Sequence, residues 1–364
     1  MKTLAIETSC DDTSLGIIDF DGQSFSVDSL LAYSQIDDHQ KYWGVVPELA
    51  SRLHFDKIIE VLQSIGLDKI KDVDFIGVTT HPWLPGSLVV GKTVASLLSS
   101  YFAKPLVHVN HIYWHIFSLL LERNISDIQF PLAVLTASGW HNDIYIINNS
   151  EFRIQNSEWI ERKEFGGYKI AKVGYTLDDA AGECFDKVSR MLGGPYPGGQ
   201  RIAEKALQWH ANSDVEFKRI FLSKEGFEFS FSWMKSQVSF LLKKLVEGWR
   251  SKVEGWEYVI PEQLICDIAY EFQEAVVEVM AKKLVRAGIA FDAKTLWLAW
   301  GVSCNDRLRE YLNEYWGREE RREEGRKRRI LRPMKKVYST DNAAMIGVAG
   351  IVQYINEKWI INNE

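Results

Sequence analysis

Thr3-Leu4-Ala5-Ile6-Glu7-Thr8-Ser9-Cys10-Asp11-Asp12-Thr13-Ser14-Leu15-Gly16-Ile17-Ile18 sets the fold. Two short apolar runs, 3–7 and 14–20, flank a polar turn, which reads as a strand, a turn and a second strand. The same start recurs downstream, with a strand over 132–137, a turn at Ser138–Asn142 and a strand over 143–148. Between them the pattern predicts a strand over 73–80, a helix over 86–103 ending before Pro105, a strand over Leu106–Val109 and a helix through about Glu122. Further on, Thr176-Leu177-Asp178-Asp179 has the spacing of a helix N-cap with an acid three residues later, and predicts a helix to Leu192, stopped by Gly193-Gly194-Pro195. A long amphipathic helix follows over 263–287, then a strand over 295–300, a turn at Gly301–Asn305, and a final apolar helix over 343–355 capped by Thr340-Asp341-Asn342. Strands mixed with helices throughout predict an α/β architecture. The repeated start predicts two similar lobes, 1–128 and 129–364, with a cleft between them and the last helix packing back on the first lobe.

With 364 residues the chain can bury a sizeable core. No run of about 18 apolar residues occurs, which excludes a spanning helix. Glu7 interrupts any secretory apolar segment, and Cys10, Cys184, Cys266 and Cys304 form no CxxC pair, so a reduced, cytoplasmic setting is expected. A net charge of −6 gives no global attraction to nucleic acid. Residues 317–336 depart from this, with ten basic and four acidic side chains. They read either as a solvated helix laced with ion pairs or as a local phosphate-contacting patch.

Individual motifs are ambiguous. Gly86 to Thr93 matches the P-loop pattern letter for letter. Its intervening residues are large, apolar and helical, whereas a P-loop needs a glycine-rich loop whose amides cradle phosphate. His111 and His115, four apart on an expected helix, lie on one face and can share a metal, or can be ordinary histidines. A zinc peptidase of the HExxH type would need Glu at position 112, which is Ile112. Asp341 offers a third, oxygen ligand, or simply serves a helix start. Asp11 and Asp12 are acids on a turn, a place that suits metal or phosphate chemistry and also suits Asp for local reasons.

Taken together and in order, the motifs resemble the TsaD family of tRNA threonylcarbamoyladenosine transferases. The matching stretches run from Glu7–Thr13 through Gly44–Arg52, Ser87–Gly91, Val109–His111 with His115, Asp178–Lys187, Pro195–Gly199, Phe229–Ser232 and Gly301–Asn305 to Thr340–Met345. The resemblance implies an actin-like ATPase (ASKHA) fold of two similar lobes around a central cleft. It implies one divalent metal ion, iron rather than zinc, held by His111, His115 and Asp341. Substrate contacts are implied at Thr136, Ala137, Ser138, Gly139, Trp140, Asp186, Gly199 and Asn305, with Asp11 positioning groups or handling a proton. The implied reaction moves a threonylcarbamoyl group from threonylcarbamoyl-AMP to N6 of adenosine 37 in tRNAs reading ANN codons. Implied partners are tRNA, a paralogous non-catalytic actin-like subunit and a small ATPase subunit, and no membrane.

Six of the thirteen tryptophans break the family pattern. Trp43, Trp83, Trp114, Trp140, Trp233 and Trp300 stand where the family has glycine, in GGVVPE, PGL, HxxGH, SGGH, FSG and GGVxxN, and their neighbours are intact. Drift does not replace one residue type so consistently by one other. A genetic-code mismatch does: some bacteria read UGA as glycine, and another code reads it as tryptophan. The alternative is a true tryptophan-bearing paralogue, an inactive scaffold with a filled site.

Overall fold

The computed structural model describes residues 1–139, 141–149, 161–210, 213–220, 222, 225–250, 260–322 and 329–363. In it β1 (Lys2–Glu7) runs antiparallel to β2 (Asp12–Phe20), Glu7 facing Ser14 across the predicted turn. The remaining strands of this sheet are β3 (Phe25–Ser34), β4 (Phe75–His81) and β5 (Leu106–Asn110), in the order β3-β2-β1-β4-β5, with β4 and β5 parallel to β1. A second sheet is built from β6 (Leu132–Ala137), β7 (Asn142–Asn148), β8 (Glu161–Phe165), β9 (Tyr168–Tyr175), β10 (Thr295–Ala299) and β11 (Arg329–Leu331). Its order is β11-β10-β6-β7-β9-β8. Without the edge strand β8 this repeats the first sheet: two antiparallel neighbours on one side of the opening strand and two parallel ones on the other.

Helices fill the layers. The first half carries α1 (Ile36–Gln40), α2 (Pro47–Ile65), α3 (Leu67–Lys71), α4 (Pro85–Phe102) and α5 (His111–Phe117). The second carries α6 (Ala181–Met191), α7 (Gly198–Ala206), α8 (Ser232–Arg250), α9 (Glu262–Ala290), α10 (Asp306–Arg322) and α11 (Ala343–Asn363). Strand alternation decides which layer each residue joins. Leu4 and Ile6 pack with Ile58 and Leu62 of α2 and Leu98 of α4, while Ala5 faces the other way, into a core shared with Ile346 and Ala349 of α11. That second core also takes Val134 and Trp297 from the second sheet, so one apolar layer joins the two sheets. The third core holds Ala133 and Leu135 of β6 against α6, α9 and α10. α11 lies close on the first sheet: a Cβ at Gly347 would fall 2.2 Å from Cγ1 of Ile18. No helix among the described residues is long and apolar enough to cross a membrane.

Several expectations need correction. The helix expected to run to Glu122 stops at Phe117, because the chain tightens into a 3-10 turn at Ser118–Leu120 and Ser118 Oγ donates to the His115 carbonyl. Thr176 does not cap a helix: α6 starts at Ala181, and Thr176 Oγ1 donates to the Asp179 carbonyl. Asp178 instead accepts from the amides of Phe231 and Ser232 and from both serine hydroxyls at 230 and 232, a richer set of donors than a helix end offers. The final helix continues past residue 355 to Asn363. The P-loop lookalike is continuous α4, so it forms no phosphate cradle, and a P-loop nucleotidase reading falls with it. β3 and α2 add to the expected elements; α2 starts at Pro47 and turns Ala50, His54, Ile58, Leu62 and Ile65 inward at helical spacing.

Phe75 is fully buried and stacks on Tyr354 of α11, with ring centroids 4.5 Å apart. Phe75→Ala should cost about 3–5 kcal/mol. A denaturant midpoint unchanged by this substitution would contradict the packing of α11 on the first sheet.

Candidate metal centre and the surrounding cleft

α5 begins where β5 ends. Asn110 caps it by accepting from the Ile112 amide, and the first helical turn carries His111 and His115 on one inward face. Both imidazoles are fully buried. Asp341 arrives from far along the chain, two residues before α11. That helix start is fixed by Ser14 Oγ, which accepts from the Ala343 amide, and by Asn342, which accepts from the Ala344 amide. The two Nε2 atoms lie 3.2 Å apart, His115 Nε2 lies 3.3 Å from Asp341 Oδ1, and His111 Nε2 lies 4.0 Å from Oδ2. All three ligand atoms fall within 4.8 Å of one another, so the trio can hold a metal ion. Two imidazole nitrogens and a carboxylate suit a first-row divalent cation.

The electrostatics fit the same conclusion. Burial drives both histidines well below their usual range, which keeps them neutral as ligands must be. Carboxylates crowd the same spot. Burial, then Asp11, pushes Asp341 up to about 8, against a hydrogen bond from Trp300. Asp12 is pushed to about 8 by burial and then Asp11, and Glu7 to about 7 by burial and then Asp341. A bound cation inverts this logic by favouring the charged carboxylates. Behind the ligands, Ser9 Oγ lies 2.9 Å from His111 Nδ1, and Glu7 accepts from the Ser9 amide and the Thr79 hydroxyl. Ser9, Glu7 and Thr79 were not singled out from the sequence. A polar residue at the end of a buried strand was the available signal.

The other expected residues surround the opposite wall. Thr136 and Ala137 end β6 and are buried. Ser138 and His141 exchange bonds across the tight turn, and the Gly182 amide donates to the Ser138 carbonyl at the start of α6. Gly139 has open space around it, whereas a Cβ at Gly182 would fall 2.5 Å from the Ser138 carbonyl oxygen. Trp140 lies outside the described residues. Asp186 accepts from the Gly198 amide at 2.6 Å and is pushed to about 6 by burial. Gly199, one residue on, faces open space. Asn305 is used structurally: its Oδ1 accepts from the Leu308 amide and its Nδ2 donates to Gln273. Asp11 acts electrostatically on Asp341, Asp12 and Tyr196, so it belongs to the same cleft.

Tryptophan rings crowd this centre. Trp300 stacks on His115 at 3.6 Å and Trp114 does so at 3.8 Å from centroid to centroid. Trp83 meets His111 edge-on at 5.3 Å and Trp300 at 6.0 Å. Three of the six discordant tryptophans also have left-handed backbone: φ is 60° at Trp43, 108° at Trp83 and 79° at Trp300. That region suits glycine and costs a side-chain-bearing residue roughly 1–2 kcal/mol. Trp114 is helical and Trp233 is exposed on α8, so backbone strain does not extend to them.

The chain is similar to proteins of known name and to solved structures. A family model described as TsaD, tRNA N6-adenosine threonylcarbamoyltransferase, matches residues 29–348. The tRNA N6-adenosine threonylcarbamoyltransferase of Mesoplasma florum is 37% identical over 352 residues, covering 95% of this chain and 96% of that protein. The protein of the same name from Bacillus subtilis is 36% identical over 358 residues, covering 97% and 91%. Among solved structures, HypF of T. kodakarensis superposes with a TM-score of 0.55 at 13% identity, covering 98% of this chain and 48% of that one. A full-length HypF in a phosphate- and nucleotide-bound form gives 0.57 at 12% identity, covering 98% and 46%. The chain thus spans about half the length of those structures, and the likeness shows the fold, an α/β architecture of the actin-like ATPase class.

Two outcomes follow. Trp300→Gly should tighten cobalt(II) binding at least about tenfold, read from the visible absorption of the bound ion, because it removes a ring stacked on one ligand and a donor to another. Glu7, Asp12 and Asp341 bind protons more tightly folded than unfolded, so the metal-free protein should lose stability as pH rises from about 5 to about 8. Added divalent cation should restore it, and a thermal midpoint that rises over that range would contradict the buried-carboxylate cluster.

Proposed function

The chain belongs to the TsaD family of tRNA N6-adenosine threonylcarbamoyltransferases, and from that premise we propose that it transfers the threonylcarbamoyl group of threonylcarbamoyl-AMP to N6 of adenosine 37 in tRNAs reading ANN codons. The observation that carries this reading is the convergence of His111, His115 and Asp341, two distant chain segments, on one point of the cleft. In the reaction the adenine amine attacks the carbamoyl carbonyl, a C–N bond forms, the bond to the phosphate oxygen breaks, and AMP leaves. His111, His115 and Asp341 would hold a divalent ion, iron in this reading, which would supply a positive point to polarise the carbonyl or hold the threonyl group in register. Asp11 takes or positions the proton lost from N6. The Ser138–His141 turn and the start of α6 offer backbone amides and small residues to the AMP end, with Gly199 leaving room and Asp186 fixing the loop before it. The protein works in the cytoplasm with a paralogous non-catalytic actin-like subunit and a small ATPase. Of residues 317–336, the part that continues α10 pairs Arg318 with Glu314, which favours the solvated, ion-paired helix over a phosphate-contacting patch, and 323–328 lie outside the described residues.

We further infer that the working protein carries glycine at 43, 83, 114, 140, 233 and 300. The left-handed backbone at Trp43, Trp83 and Trp300 supports this. So do the rings stacked on His115, which occupy the approach to the ligands. A second reading is favoured by two observations: Trp114 is fully buried in a core cluster, and Trp300 bonds to Asp341. If the tryptophans are genuine, the chain is an inactive scaffold with its centre filled.

Codons at the six positions, together with peptide mass spectrometry of protein from its own host, separate the two. UGA codons with glycine in the peptides support the enzyme, and tryptophan in the peptides supports the scaffold. The glycine-bearing chain should form threonylcarbamoyladenosine on unmodified tRNA from purified threonylcarbamoyl-AMP. His111→Ala with His115→Ala should lower that rate by at least about 100-fold with loss of metal. Full activity of this double variant would overturn the metal-centred reading.

A further inference from the structure

Behind the Cys10–Asp12 turn, on the side away from the metal ligands, lies a buried polar chain that the reaction as described does not use. Thr13, Gln35, His39 and His54 are all fully buried. His54 Nε2 lies 3.0 Å from the Cys10 carbonyl. Its Nδ1 is 2.7 Å from Thr13 Oγ1 and 3.3 Å from Gln35 Nε2. Gln35 Oε1 is 3.1 Å from His39 Nε2, and His39 Nδ1 is 3.2 Å from the Val46 amide. The Gln35 amide itself donates to the Asp11 carbonyl at 3.0 Å.

Only one arrangement of protons satisfies every link. The Cys10 carbonyl can only accept, so His54 carries its proton on Nε2. The Val46 amide can only donate, so His39 Nδ1 is bare and Nε2 holds the proton. Gln35 must then accept through Oε1 from His39 and donate through Nε2 to His54, which also accepts from Thr13. A fully satisfied buried network of this kind is rigid and specifies one geometry. Its burial also pulls both histidines below their usual range, which keeps each ring neutral. Its output is two consecutive carbonyls, those of Cys10 and Asp11, pinned on either side of the Asp11 α-carbon.

We propose that His54, backed by Gln35 and His39, is a positioning residue for the transfer: it fixes the Cys10–Asp11 backbone so that the Asp11 carboxylate stays beside Asp12 and Asp341. The inference rests on the role given to Asp11 in the proposed function. The same chain ties this turn to the segment ahead of α2, since Val46 both feeds His39 and accepts from the Ala50 amide as the helix begins. A shift of the turn by a fraction of an ångström would misplace Asp11 more than the metal ligands, which sit on α5 and before α11 and of which His111 meets the turn through Ser9.

Nitrogen-15 NMR of the imidazoles and amide hydrogen exchange test the network in the chain as it stands. Both rings should be neutral with the proton on Nε2, and the Gln35 amide should be strongly protected. His54→Leu should speed exchange at Gln35 by at least about tenfold. In the glycine-bearing chain, His54→Leu should lower kcat about 10- to 100-fold with KM for tRNA and metal content unchanged. His54→Gln, which keeps a donor near the Cys10 carbonyl, should recover most of that loss. His39→Leu, one link farther from the turn, gives the weaker version of both effects and serves if His54→Leu does not fold. A proton on Nδ1 of His54 in the parent overturns the proposal, as does His54→Leu with full kcat. His54→Gln as impaired as His54→Leu also overturns it. A glycine-bearing chain that shows the tautomers and the protection but transfers nothing overturns the transferase reading alone.

Discussion

The contact on which the site depends is the seating of α11 against the first sheet. The chain runs through the second lobe and returns, and the Ala343 amide donates to Ser14 Oγ on β2. Gly347 lets the helix approach Ile18 closely, and Phe75 stacks on Tyr354 farther along. Because the start of the helix is fixed in this way, Asp341 is held opposite His111 and His115. Without that contact the two imidazoles would face one another across 3.2 Å with no carboxylate. The apolar layer that holds α11 also takes Val134 and Trp297 from the second sheet, so the packing that joins the lobes also completes the centre.

Around that point the fold concentrates negative charge in a dry place. Glu7, Asp12 and Asp341 are each raised, chiefly by burial, and Asp11 stands among them. Keeping carboxylates ionised out of water is unfavourable unless a cation or hydrogen-bond donors compensate. The neutral histidines supply no charge. The surroundings are therefore built for a cation, and the wall opposite them offers glycines and helix starts.

The tryptophans bear on the same energetics from two directions. At 43, 83 and 300 the backbone adopts a region that glycine enters without penalty. At 83, 114 and 300 the rings pack on the ligand imidazoles. A side chain that is unfavourable for its own backbone and also covers the ligands gains nothing from either. At 83 and 300 glycine removes both conflicts with one change, and at 114 it clears a ring from His115.

Much was legible in the sequence because local rules govern it. The strand, turn, strand start and its repeat at residue 132 follow from short apolar runs broken by polar turns, and apart from β8 the sheets share one strand order. His111 and His115 share a face because a helix repeats every 3.6 residues. The tryptophans stood out against motifs otherwise intact. The final helix was legible as apolar and as a segment that packs back on the first lobe, but the contacts that fix its start, Ser14 on the Ala343 amide among them, came from packing between segments hundreds of residues apart. The same holds for Thr176 and Asp179, whose spacing suggested a helix cap, and for Asp178 between them, whose donors lie on Phe231 and Ser232. It holds too for the chain through His54, Gln35 and His39, whose members carry no periodic signal. Period and turn chemistry are written in neighbouring residues. Which buried donor meets which acceptor is decided only when distant segments exclude water together.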